Sequence, residues 1–169
     1  MNDNHLEFMG RALDLAREAL RQDEFPVGCV LVHGNTIIAD GRRRGTRRKT
    51  PSELEHAEII ALGKLESLPS VAPRNEITLY CTLEPCLMCY GAILLCGIGR
   101  LIYAYEDAMG GAAMHYRDTL KPLYAENPME IKAGVCRPES LALFKAFFNN
   151  PKIDYWRDSL LAQYTLAQK

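Results

Sequence analysis

The sequence predicts an α/β protein with a mixed β-sheet held between helices on both faces. Three observations predict it. Short runs rich in Val, Ile and Tyr alternate with segments of helical spacing. The first two such runs are separated only by His33-Gly34-Asn35, a hairpin turn that makes the sheet mixed rather than purely parallel. The chain has 169 residues, 48% hydrophobic and 24% charged, enough for one domain with a substantial core.

Leu6, Met9, Leu13, Ala16 and Leu20 recur at helical spacing and predict a first amphipathic helix, slightly weakened by Gly10. Pro26 ends any helix, and VGCVLVHGNTIIAD supplies the hairpin. An arginine-rich loop follows, closing at Thr50-Pro51. Residues 55–66 then predict a helix stopped by Pro69. Ser52 and Glu55 resemble a capping box, but a helix from Ser52 would bury His56 a full turn inside, so a start near Glu55 is expected. EITLYCTL, 76–83, is a strand with Ile77, Leu79 and Cys81 on one face. CLMCYGAILLCG is an apolar helix, with Pro85 suited to its first position and Gly97 near its end. RLIYAY, 100–105, is a strand, 111–124 carry a weak helical pattern, and MEIKAGV, 129–135, is a short strand. PESLALFKAFFNN begins a helix with Pro138 in its first turn. Beyond Pro151, the spacing of Trp156, Leu160, Tyr164 and Ala167 predicts a final helix. The expected organisation is one domain over 1–150 and a C-terminal helical extension over 151–169.

The net charge of −1 hides an asymmetry, because Arg42 to Lys49 carry six positive charges and no negative one. That is one basic loop in an otherwise acidic chain: a solvated loop, or a surface for an anionic partner such as nucleic acid. No apolar run reaches the about 18 residues of a membrane span. The N-terminus mixes charges into its apolar pattern, unlike a signal peptide. The expectation is a cytoplasmic chain with no membrane partner, whose six cysteines stay reduced.

Cys86 and Cys89 stand three positions apart at a helix start, where both sulfurs lie near one face and unpaired amides favour thiolates. Alone, this spacing also fits a redox pair. With Cys81 and Cys96 it fits part of an iron–sulfur loop. Geometry disfavours that loop: Cys81 lies inside a strand, and Cys96 is two helical turns past Cys89, about 10 Å along the axis. Cys29, Cys81, Cys96 and Cys136 read as small buried hydrophobes. Among four histidines, His5 is near a terminus, His33 is in the hairpin turn and His115 is in the weak segment. His56 alone opens a helix beside a carboxylate, Glu58. H-x-E upstream of P-C-x-x-C is a pattern of zinc nucleobase deaminases. His56 and Glu58 point about 200° apart around a helix, so both reach a metal only if it lies off the helix's N-terminal end. His56, Cys86 and Cys89 as ligands leave the fourth tetrahedral position to water, which marks a catalytic rather than a structural zinc. Glu58 is then the proton carrier and not a ligand. One Zn2+ per chain is expected.

These residues resemble the cytidine-deaminase-like superfamily, most of all its tRNA adenosine deaminase branch. FPVGCVLVHGNTIIADG resembles the branch's first hairpin, HAEIIAL its first zinc segment, LYCTLEPCLMCYGAI its second, and GIGRLIYAYEDAMGGAA the strand and turn that follow. The resemblance implies a three-layer α/β/α sandwich, a catalytic zinc, and often a homodimer. It implies hydrolytic removal of an exocyclic amine from a nucleobase, adenosine in tRNA foremost. It also implies substrate contacts at Pro26, Val27, Ala57, Pro85 and Asp107. Arg43 stands where the family usually has a substrate-contacting asparagine. The chain departs from the branch in three ways: its longer arginine loop, the weakly charged FFNNPKIDYWRD where the branch often has a basic segment, and the additional final helix. Two other readings stay open. One is a deaminase of a free purine or pyrimidine base or nucleoside, with a closed pocket that the extra helix could cap. The other is an inactive zinc-stabilised RNA-binding module, against which the retention of Glu58 argues.

Overall fold

A computed structural model of the protein describes residues 3–69, 72–114 and 119–169. The elements are α1 (Asp3–Arg21), β1 (Gly28–His33), β2 (Thr36–Arg42), α2 (Ala57–Glu66), β3 (Ile77–Leu83), α3 (Leu87–Leu95), β4 (Arg100–Tyr105), α4 (Pro122–Ala125), β5 (Glu130–Lys132), α5 (Arg137–Phe148) and α6 (Leu160–Ala167). The sheet order is β2-β1-β3-β4-β5. β1 runs antiparallel to both neighbours, whereas β3, β4 and β5 are parallel. The expected mixed sheet is present.

Period-two alternation divides the core between the two faces. Val30, Val32, Tyr80, Ile102 and Ala104 pack with Phe8, Met9 and Leu13 of α1. Cys29, Leu31, Ile77, Leu79 and Cys81 pack with Ala57, Ala61 and Leu65 of α2 and Ile93 of α3. Two glycines allow the helices to approach so closely. A Cβ at Gly28 would lie 2.0 Å from the Ala12 carbonyl oxygen of α1, and one at Gly41 2.0 Å from the Ala57 carbonyl oxygen of α2. No helix among the described residues is long and apolar enough to cross a membrane.

The structure corrects five local expectations. Leu6 is exposed, and the buried stripe of α1 runs through Phe8, Met9, Ala12, Leu13, Ala16 and Ala19 instead. α2 begins at Ala57 rather than near Glu55, because the Arg44 amide donates to the Glu55 carbonyl (3.2 Å) and keeps that residue in the loop. Pro85 precedes the N-cap Cys86 and is not itself helical. The final helix excludes Trp156, whose φ of +53° is left-handed; it starts behind Ser159, whose Oγ caps the Ala162 amide. Cys96 and Cys136 are half-buried rather than fully buried. Of 111–124, residues 115–118, His115 included, lie outside the described residues, and 122–125 form one helical turn.

Candidate active site

The site lies beyond the carboxyl ends of β3 and β4, the place where open α/β sheets bind ligands. β3 ends at Leu83, and Glu84-Pro85 leads to Cys86, the N-cap of α3. α2 brings its own start to the same point with His56 as N-cap, its backbone extended (φ −69°, ψ 150°). A position ahead of the helix frees the imidazole to leave the axis, while Glu58 sits within the first turn. The two side chains thus meet off the helix end, as their spacing requires.

His56 Nδ1 lies 3.7 Å from Cys86 Sγ and 3.4 Å from Cys89 Sγ. The three donor atoms fall within 4.8 Å of one another, and no other His, Cys, Asp or Glu among the described residues joins them or forms a second such group. Cys81 is committed elsewhere and Cys96 is absent from the cluster, so the iron–sulfur arrangement is not present. One imidazole and two sulfurs at this separation suit a tetrahedral zinc with one open position. A hydrogen bond from the Cys89 thiol pulls Cys86 down to about 4, with burial opposing and His56 assisting. The same bond holds the Cys89 proton in place and raises its pKa. A zinc ion held here would bind both sulfurs as thiolates.

Glu58 is 3% exposed. Its Oε1 accepts from the Cys81 thiol at 3.2 Å, and its Oε2 is buried without a protein partner. Burial raises its pKa, the backbone hydrogen bond and His56 opposing. Burial thus makes this carboxyl hold its proton more tightly than an exposed one would.

Glu84, also in the run before Cys86, has a different duty. Its Oε1 accepts from the Ala113 (3.1 Å) and Met114 (3.4 Å) amides and its Oε2 from the Asp107 amide (3.3 Å). Asp107 Oδ1 in turn accepts from the Met109 and Gly110 amides at 2.9 and 3.0 Å. Burial raises the Asp107 pKa against those two bonds. One carboxylate orders the turn after β4 and the other shapes it from within.

A cavity of about 390 Å3, its mouth included, joins these groups. Val27, Arg43, Ala57 and Asp107 line it with His56, Glu58 and Cys86, while Pro26 and Pro85 stand one residue behind the lining. Phe25, Leu83, Glu84, Tyr155 and Trp156 line it too and were not anticipated. Trp156 is the chain's one tryptophan, the sole compositional hint available. Arg43 is 2% exposed and turns inward, and its Nη2 donates to Tyr155 OH (3.1 Å) and Glu53 Oε2 (3.3 Å). Other charges of the basic loop are engaged as well: Arg42 with Glu18 and Gln22, Arg48 with Glu55, and Arg47 with the Gln22 carbonyl.

Against known proteins, the profile described as "Cytidine and deoxycytidylate deaminase zinc-binding region" matches residues 2–105. The chain belongs to the cytidine and deoxycytidylate deaminase zinc-binding family. It is 30% identical over 141 residues to a tRNA-specific adenosine deaminase of Streptococcus pyogenes serotype M18, covering 83% of this chain and 87% of that one. It is 30% identical to tRNA-specific adenosine deaminase 2 of Danio rerio, covering 92% of this chain and 78% of the relative. A solved structure from work on A-to-I editing by tRNA:A34 deaminases superposes with a TM-score of 0.69 at 34% identity, over 81% of this chain and 98% of that one. The guanine deaminase of Nitrosomonas europaea shares the fold, with a TM-score of 0.65 at 23% identity over 84% of this chain and 83% of that one. As a member of this deaminase family the chain is a zinc-dependent hydrolase of nucleobase or nucleoside amines. The His56–Cys86–Cys89 group is placed to hold its zinc.

Proposed function

We propose that His56, Cys86 and Cys89 hold the zinc and that Glu58 moves the protons in hydrolytic removal of an exocyclic amine from a nucleobase. The observation that carries this reading is the unpartnered, buried Oε2 of Glu58 in the cavity that His56 and Cys86 of the three-donor cluster also line. Zinc supplies Lewis acidity that makes water a competent nucleophile near neutral pH. As the water oxygen bonds the amine-bearing ring carbon, Glu58 carries one proton of that water to the ring nitrogen, and it then carries the second, from the hydroxyl so formed, to the departing amine. The C–N bond breaks, ammonia leaves, and a carbonyl replaces the amine. Val27, Ala57, Arg43 and Asp107 surround the ring in this reading, and the apolar lining limits competing solvent.

The relatives whose names specify tRNA adenosine support adenosine-to-inosine conversion in tRNA as the activity. Within the basic loop, the exposed Arg44 and Lys49 are available to RNA phosphates. A second reading, deamination of a free base or nucleoside, is favoured by Tyr155 and Trp156 at the cavity wall. Residues 1–150 act as the deaminase domain, with 151–169 as its extension. A homodimer belongs to this reading as an assembly that gel filtration would test, and thiolate ligands suit the reducing cytoplasm.

Zinc-loaded protein incubated with an anticodon stem-loop, free bases and nucleosides, with ammonia as the readout, tests the function. Glu58→Gln is expected to keep about one zinc per chain and lose a factor of about 10² to 10⁴ in turnover. Undiminished turnover in that variant would remove Glu58 from the mechanism.

A further inference from the structure

The cavity has a second chemically loaded wall, opposite in character to the cluster of donors. Arg43 is almost fully buried, and its Nη2 is spent on Tyr155 OH and Glu53. Tyr155 OH donates to the same Glu53 Oε2 at 3.0 Å, which closes a three-member ring of contacts. Arg43 Nη1 is buried too and has no acceptor. A buried donor left unpaired costs stability that an acceptor on a ligand would recover. Beside it, the rings of Tyr155 and Trp156 stack at 4.9 Å and 15°, and both meet Phe25 edge-on at 5.6 Å.

Resting on the deaminase reading above, we propose that Arg43, Tyr155 and Trp156 form the wall that reads the substrate base. The aromatic pair packs against a planar, uncharged nucleobase, and Arg43 Nη1 donates to a ring nitrogen or carbonyl oxygen on its edge. Charge explains why the ligand is neutral at this wall. Glu53 already balances Arg43 from outside the lining, and the carboxylates that line the cavity are Glu58, Glu84 and Asp107. A phosphate here would face three carboxylates and one guanidinium that is already paired. A free base, a nucleoside and a base extruded from tRNA all present the required chemistry.

The wall is a built structure and not a loose tail. Arg157 Nη2 donates to the Pro151 and Ile153 carbonyls at 2.8 and 2.7 Å, and the Ser159 amide to the Trp156 carbonyl at 3.0 Å. Ile153 is buried in the main core. These contacts hold Trp156 in its left-handed backbone conformation, a state that a bulky residue adopts only when its surroundings impose it. The family profile ends at residue 105, so the two aromatic members of the wall, Tyr155 and Trp156, come from chain beyond the shared zinc segments, whereas Arg43 lies within the profile.

The single tryptophan makes the proposal directly testable, because tryptophan emission, excited selectively over tyrosine, reports on Trp156 alone. Zinc-loaded full-length protein is titrated with free bases, nucleosides and an anticodon stem-loop, and turnover is followed in parallel. Saturable quenching is expected for whichever of these is deaminated, at concentrations near its KM; the arm that quenches identifies how the base is presented. Arg43→Met and Trp156→Leu are expected to raise KM about tenfold to a hundredfold. Tyr155→Phe, which keeps the ring and removes only the hydroxyl, is expected to raise it less. Zinc content and far-UV dichroism should match the parent in each; if Arg43→Met does not fold, the other two variants decide. Turnover with unquenched fluorescence, or an unchanged KM in Trp156→Leu, overturns the wall. Quenching without turnover on any substrate would instead keep the wall and refute the deaminase reading.

Discussion

Glu58 has its two oxygens in different circumstances, and that asymmetry has a source. The Cys81 thiol occupies Oε1 at 3.2 Å, so the lone pairs left for chemistry belong to Oε2. Cys81 itself is fixed in β3 opposite Cys29 of β1, both fully buried. A thiol is a weak donor, but here it helps to orient the proton carrier. Cys81→Val should therefore retain zinc and fold while lowering kcat about tenfold at unchanged KM. Cys81→Ser, which offers a donor again, should recover part of the rate, and equal rates in all three proteins would show that the bond orients nothing. Cys86→Ala should lose zinc and thermal stability together, read by metal analysis and calorimetry. The ligands and Glu58 were legible in the sequence because their geometry is local: each pair lies within one turn of a helix start. The parts played by Cys81 and Trp156 were not, because each depends on a partner distant in sequence, as Cys81 does on Glu58; for Arg43 the position was legible, but its pairing with Tyr155 was not.

At the scale of elements, the C-terminal helix is joined to the body by a polar cluster and an apolar seam. Glu106 accepts from Arg137 Nε (2.8 Å) and Tyr164 OH (2.7 Å), and Thr165 meets the Tyr105 hydroxyl at 3.0 Å. Leu161 and Ala162 of α6 enter the main core beside Phe144. Burial alone would raise the Glu106 pKa, but the bonds from Arg137 and Tyr164 outweigh it and hold the group below its ordinary 4.5. A depressed folded-state pKa means that this stabilisation is complete above the unfolded value and fades as pH falls through the folded one. Acid titration of thermal stability should thus show a shallower loss below pH 4.5 in Glu106→Gln than in the parent. Ser159→Ala removes the cap of α6 and should cost about 1 kcal/mol by denaturant unfolding. The strands and the order of elements were readable from period and punctuation. The final helix was overextended because Trp156, Leu160 and Tyr164 keep helical spacing while the backbone at Trp156 has already turned left-handed. Leu6 misled in the same way, as a well-spaced leucine on the exposed side of α1.

For the molecule as a whole, the metal and the fold should be thermodynamically linked, since the three donors come from the starts of two helices on one face of the sheet. Removing zinc with a chelator should lower the thermal midpoint. Zinc at a hundredfold its dissociation constant is worth about 2.7 kcal/mol, and a midpoint indifferent to zinc would mean the ion binds elsewhere or not at all. The hairpin, the two glycine contacts and the parallel strands fix where those helix starts meet, and all of these were visible as patterns in the chain. What closes the cavity was visible only in three dimensions. The turn after β4 adds one more link. Glu84 gathers its amides, the Ala112 amide donates to the Pro85 carbonyl (3.0 Å), and Gly111 pairs with Cys86 across an isolated bridge. Residues 107–114 are thereby laced to the very peptide that presents one of the sulfurs. Any slackening of the ligand shell must travel along that lacing, so a protease clipping near Met114 would serve as an outside gauge of how firmly the centre is gripped.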